Sequence, residues 1–143
     1  MSLDHEELTG QIIGAAIEVH KALGPGFLEA IYENALALEL RGRSIPFQRQ
    51  ISVPVLYHGA EVGLHRLDLF VADEIVVEIK AVQELQDVHF VVARSYLRAV
   101  GRQHGLLLNF SKPKLEVKRV MARFSPPGFL GSWVPYSPSG DAG

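Results

Sequence analysis

The sequence contains no cysteine, which excludes disulfides and thiolate metal sites alike. It has no apolar run near the roughly 20 residues needed to cross a bilayer. It also has no basic-then-apolar amino terminus of the kind that marks a signal peptide. A reducing cytoplasm is therefore the expected location, with no membrane partner. Walker-type phosphate loops, H-E-x-x-H helices and Gly-x-Ser-x-Gly elbows are absent, as is any internal repeat. Charge of neither sign dominates: 14 Lys and Arg stand against 16 Asp and Glu, a net charge of −2. What the chain has instead is apolar substance. Hydrophobic residues make up 48% of its 143 positions, enough for the core of one ordinary domain.

The most informative stretch runs from Arg66 to Lys80, R-L-D-L-F-V-A-D-E-I-V-V-E-I-K. It reads as two strands joined at Ala72-Asp73-Glu74. The second places Ile75, Val77 and Ile79 on one face and Val76 on the other, the mark of a strand covered on both sides. Glu78 and Lys80 share the Val76 face, because side chains alternate with period two. With the turn centred on Asp73, Asp68 lies across from Glu78, their Cβ atoms about 5 Å apart. Facing carboxylates repel unless something positive lies between them. Lys80 is one candidate and a divalent cation is the other. An amphipathic hairpin with a solvated charged face is the plainer alternative.

The preceding chain reads as two helices and an extended segment. Asp4 to Leu23 is helical by the spacing of Leu8, Ile12, Ala16, Ile17 and Leu23, with Asp4 and Glu7 as a capping box. His20 falls near that stripe, where a packed, hydrogen-bonded ring is the expectation. Gly24-Pro25-Gly26 breaks the helix. A second runs from Phe27 to Leu40, with Leu28, Ile31, Ala35 and Leu38 as its buried stripe and Gly42 to end it. Glu29, Tyr32 and Glu33 share one face. Ile45 to Tyr57 is extended, and Pro54 makes it an edge or bulged strand. His58-Gly59 turns the chain back into Val62 to Val71.

After the central hairpin, Asp87 is placed to cap a helix over Val88 to Val100, with Val88, Val91, Val92, Tyr96 and Ala99 as its apolar stripe. Gly105 to Phe110 is a short buried strand, expected to pair in parallel after the crossover, and Leu115 to Ala122 is a last strand. Arg94 to Arg123 holds eight basic residues and one acid, whereas the first 93 residues hold six basic and fourteen acidic ones. That asymmetry fits a phosphate-facing surface beside a metal-binding one. Residues 1–124 form the single expected domain. From Ser125 the chain is a Pro/Gly/Ser-rich tail in which Phe129, Trp133 and Tyr136 could dock on a surface or a partner.

Gly26-Phe-Leu-Glu29-Ala-Ile-Tyr32, preceded by V-H-K-A-L-G-P, matches a GxxExxY pattern. Arg66-Leu-Asp68-Leu, Val77-Glu78-Ile79-Lys80-Ala81, His89, Tyr96-Leu97 and Gly105-Leu-Leu-Leu-Asn109-Phe110 follow in order. Over roughly residues 8–122 the chain resembles a GxxExxY protein of the PD-(D/E)xK nuclease-like superfamily. The resemblance implies an α/β fold: a mixed central sheet flanked by helices, a restriction-endonuclease-like core of αα-βββ-α-ββ order, with the acidic cluster at a sheet edge. It implies that Glu29, Asp68 and Glu78 bind one or two Mg²⁺ or Mn²⁺ ions and that Lys80 positions or activates the attacking water. Tyr32, Tyr96 and His20 become candidates for orienting substrate. The partner implied is nucleic acid, DNA ahead of RNA, and small nucleases of this kind often act as homodimers.

One departure stands out. Exonuclease-like relatives carry Gln four residues before the third-helix Tyr, where this chain has Val92. Either Gln83 or Gln86 then supplies an amide from the loop, or the site is weakened. Two functions follow: a metal-dependent nuclease hydrolysing phosphodiester bonds, or a weak or inactive nuclease-fold module that binds nucleic acid or a protein.

Overall fold

The computed structural model describes residues 5–123. The proposed cap at Asp4 and the aromatic tail after Ser125, with its domain boundary, lie outside them. Helices α1 (His5–Leu23) and α2 (Glu29–Gly42) are followed by β1 (Phe47–Tyr57), β2 (Ala60–Val71) and β3 (Ile75–Lys80). Helix α3 (Asp87–Val100) then leads to β4 (His104–Asn109) and β5 (Glu116–Met121). This is the expected αα-βββ-α-ββ order. The strands form one mixed sheet in the order β1-β2-β3-β4-β5. Among the described residues only β3 and β4 pair in parallel, joined by the α3 crossover.

Helices α1 and α2 cover one face of the sheet and α3 the other. Ile12, Ala16, Tyr32, Leu36 and Leu40 pack against Leu69, Val71, Ile75, Val77 and Ile79. Ala93 and Leu97 pack against Leu67, Phe70, Val76, Leu107 and Val120. Each fully buried aliphatic side chain contributes about 1.5–3 kcal/mol, which is why β3, covered on both sides, is the centre of the molecule.

Two helix faces differ from the sequence expectation. In α2 the buried residues are Tyr32, Glu33, Leu36, Ala37 and Leu40, not Leu28, Ile31, Ala35 and Leu38; Leu28 and Leu38 are 76% and 67% exposed. The helix has two apolar stripes, and Tyr32 decides between them. Its ring is wholly buried and stacks on Phe110 at 4.5 Å, while its hydroxyl donates to Gly24 O at 2.6 Å and accepts from Phe27 N at 3.2 Å. Tyr32 thus fixes the turn in which Gly24 and Gly26 have φ of 70° and 116°, a region that favours glycine. Gly42 is the last helical residue, and the left-handed residue beyond it is Ser44. In α3, Val88 and Val91 are exposed, while Phe90, Ala93, Tyr96, Leu97 and Val100 pack on the sheet. Asp87 is not its cap: Gln86 and His89 form a reciprocal capping box in its place.

The β1–β2 hairpin turns over part-way along. Phe47, Leu69 and Val71 face α1 and α2, whereas Ile51, Val53 and Leu67 face α3. With period-two alternation, Leu67 and Leu69 should share a face. The reversal occurs where Gln50 meets Asp68, between the ladder pairs Arg49↔Leu69 and Ile51↔Leu67. Gln50 there has φ 51°. β2 pairs with β3 only from Val71 to Leu69, so beyond that point β1 and β2 run on as a two-stranded ribbon. Its tip is His58-Gly59, both at positive φ, and Leu56, Tyr57, Val62 and Leu64 along it are exposed.

Candidate active site

The charged residues gather where β2 leaves β3. Past Leu69↔Val77 the main-chain ladder stops, and carboxylates take its place. Asp68 N donates to Glu78 Oε2 at 3.2 Å, and Ile79 N donates to Asp68 Oδ2 at 2.8 Å. The two acids thus face each other as the centred turn predicts. They lie at the carboxyl end of the central strand rather than at a sheet edge, because β2 and β4 flank β3 on either side.

Glu29 joins them from the first turn of α2. Its Oε2 accepts Ala81 N at 3.1 Å, just past Lys80. Tyr32, one helical turn on, roots that end of the helix and so sets where Glu29 reaches. Asn109 fixes the strand exit from the other side. It is wholly buried, accepts Val82 N at 3.1 Å and donates to Val82 O at 2.9 Å and Glu116 Oε1 at 3.0 Å. The sequence hint was one polar residue in the apolar run GLLLNF.

Burial controls the electrostatics. Glu78 is 4% exposed, and desolvation, followed by the neighbouring Asp68 charge, pushes its pKa up to about 8. The Asp68 main-chain amide and Lys80 pull the other way. Asp68 is also raised, first by burial; its bond from Ile79 N and the Lys80 charge oppose the shift, and Glu33 and Glu29 add to it. Tyr96 of α3 is raised by burial and then by the Glu78 and Asp68 charges, so it borders the same space. Its ring meets His65 edge-on at 4.5 Å, and His65 Nε2 lies 3.1 Å from Ser95 Oγ.

Two further participants, Glu33 and Gln50, carry no site motif in the sequence. Glu33 is 6% exposed on α2, one turn beyond Glu29. Arg49 Nε donates to its Oε2 at 3.1 Å, and Gln50 Nε2 donates to its Oε1 at 2.7 Å. Arg49 Nη2 also bonds Asn34 Oδ1. Gln50 Nε2 lies 3.4 Å from Asp68 Oδ1. The amide at the site therefore comes from β1; Gln86 is spent capping α3 and Gln83 is exposed. The paired partners of Glu33 and Gln50 belong to different elements, so no local pattern marks them.

Other sequence candidates sit elsewhere. Tyr32 has no exposed surface. His20 is buried, with Nε2 2.9 Å from Lys112 O and its ring tilted on Phe110. Of the basic residues after Arg94, Arg102 donates to Asp73 O at 2.8 Å at the far end of the sheet, Arg119 pairs with Glu6, and Lys112 pairs with Glu84. A surface pocket of about 710 Å³ also opens at that far end, among Leu8, Arg43, Phe47 and Glu74, away from the carboxylates.

Among the described residues, no three His, Asp or Glu side chains already stand around a common ion position. Asp68, Glu78 and Glu29 each give an oxygen to a main-chain amide, which orients the three carboxylates. The donor chemistry nonetheless fits a hard divalent cation. All three groups offer oxygen only, they act on one another electrostatically, and Glu78 holds a proton near neutral pH where a cation can take its place.

A family model described as the PD-(D/E)XK nuclease superfamily matches residues 6–120. The crystal structure of SSO0001 is similar with a TM-score of 0.52 at 15% identity, over 85% of this chain and 61% of that one. At that identity the likeness speaks for the fold, and the chain spans under two thirds of SSO0001. No curated protein matches the sequence. The matched residues run from α1 into β5 and include Glu29, Asp68, Glu78 and Lys80. This chain belongs to the PD-(D/E)XK nuclease superfamily.

Proposed function

We propose that the protein is a divalent-metal-dependent nuclease that hydrolyses phosphodiester bonds, in DNA ahead of RNA. The observation that carries this reading is the meeting of Asp68 and the buried Glu78 where the ladder opens, with Lys80 two residues on. Such a pair is costly without a cation. Asp68, Glu78 and Glu29 would hold Mg²⁺ or Mn²⁺, the kind of ion that nucleases of this superfamily generally use. Bound there, the ion would neutralise charge at the attacked phosphate and make hydroxide available near neutral pH.

The protein's own groups do the rest. Lys80 brings an ammonium beside the carboxylates, placed to hold the attacking water or a phosphate oxygen. Tyr96 presents a hydroxyl from α3 to the same space. Glu33, neutralised by Arg49 and bonded by Gln50, supports the wall behind Asp68.

The test is cleavage of plasmid, single-stranded DNA and RNA with Mg²⁺ or Mn²⁺. Lys80→Ala and Asp68→Asn should each lose about 100-fold or more, the size expected for removing one charge-stabilising group. Equal cleavage by wild type and both variants would mean the activity is not from this site. A non-catalytic binding module is the second reading. Val92 favours it, since valine offers no hydrogen bond to substrate or bound water. An absence of heat on Mn²⁺ titration would decide for it.

A further inference from the structure

Gln50 occupies a backbone conformation that its residue type does not favour. Its φ of 51° lies in the left-handed region, where a side chain with a Cβ is strained and glycine is not. The residue is in neither a tight turn nor a loop; it sits inside β1, opposite Asp68, where both strands change face. Strain held within a strand calls for something that over-determines it.

Its side chain supplies that. One amide nitrogen faces two carboxylates, 2.7 Å from Glu33 Oε1 and 3.4 Å from Asp68 Oδ1. An NH₂ group has two hydrogens, one for each acid. The other oxygen of Glu33 is taken by Arg49 and the other oxygen of Asp68 by Ile79 N. Every carboxylate oxygen of the two acids therefore has a donor, and the plane of Asp68 is fixed from both sides. A hydrocarbon in place of the amide gives no donor, and a carboxylate there would add a third negative charge.

Resting on the proposed function, we infer that Gln50 is a positioning residue: its strained backbone lets a neutral donor bridge Glu33 and Asp68, holding Asp68 ready to ligate the metal.

The experiment measures Mn²⁺ affinity by calorimetry and thermal midpoint without metal, for wild type, Gln50→Leu, Gln50→Gly and Asp68→Asn. Gln50→Leu keeps side-chain bulk without the donor, and Gln50→Gly relieves the backbone. Both should weaken Mn²⁺ binding by about 10-fold or more, the loss typical of removing a group that orients a ligand. Gln50→Gly should keep or raise the thermal midpoint, which a merely structural Gln50 would not allow alongside weaker binding. Wild-type affinity in both Gln50 variants, with binding lost in Asp68→Asn, overturns the inference and leaves the metal site standing. No binding in wild type, or unchanged binding in Asp68→Asn, removes the site and this role of Gln50 with it.

Discussion

Replacing Glu78 by Gln should stabilise the metal-free protein, and the gain should depend on pH. The carboxyl has a pKa of about 8 when folded, against 4.5 for an ordinary glutamate. Below about 4.5 it is neutral in both states and costs nothing extra. As pH rises, the unfolded chain releases its proton first, so unfolding is increasingly favoured until the folded group also ionises near 8. Above that, the full penalty is present. At about 1.4 kcal/mol per pH unit the interval amounts to roughly 5 kcal/mol, and relaxation of a charged buried site brings the expected gain to about 3–5 kcal/mol. Asp68, raised in the same direction, steepens the pH dependence of both proteins and so cancels in their difference. Glutamine keeps an oxygen to accept Asp68 N and carries no charge. For a chain of this length the gain corresponds to a rise in Tm of about 10 °C at pH 9, shrinking towards zero at pH 4.5. Thermal melts across pH 4.5–9 in chelator read this directly. Adding Mn²⁺ at pH 8.5 should close the gap by stabilising wild type alone. A difference in Tm that stays flat across the whole range would refute the argument, since packing alone would then explain it.

Two further outcomes test the packing. Tyr32→Phe keeps the stack on Phe110 but loses the bonds to Gly24 O and from Phe27 N; it should cost about 1–2 kcal/mol, read by denaturant unfolding. Leu38→Glu should change stability by no more than about 0.5 kcal/mol in the same assay, because Leu38 is exposed despite its helical spacing with Ile31 and Ala35.

The strands were far more legible in the sequence than the helix faces. From Arg66 to Lys80 the alternation has one register that buries both sides of β3, and a turn centred on Asp73 then places Asp68 against Glu78. In α2, by contrast, Leu28-Ile31-Ala35-Leu38 and Tyr32-Leu36-Leu40 are equally good helical stripes. The choice rests on Phe110, a residue late in the chain that stacks on Tyr32. Glu33 was harder still: an acid on a buried face is tolerable only because Arg49 and Gln50 come to it from β1. The reversal of the hairpin at Gln50 was invisible for a related reason. Period-two reasoning assumes an unbroken pleat, and one left-handed residue violates it.

The ribbon formed by β1 and β2 has an uneven tolerance for change built into it. Its tip at His58-Gly59 stands clear of every other pairing, so residues can be added or removed there while the registers at Arg49↔Leu69 and Leu69↔Val77 stay as they are. Its root carries Asp68, which faces Glu78, and admits no such slippage: a one-residue shift would trade Asp68 for Leu67 or Leu69. Length can drift at one end of the same hairpin while the other is locked to the carboxylate pair.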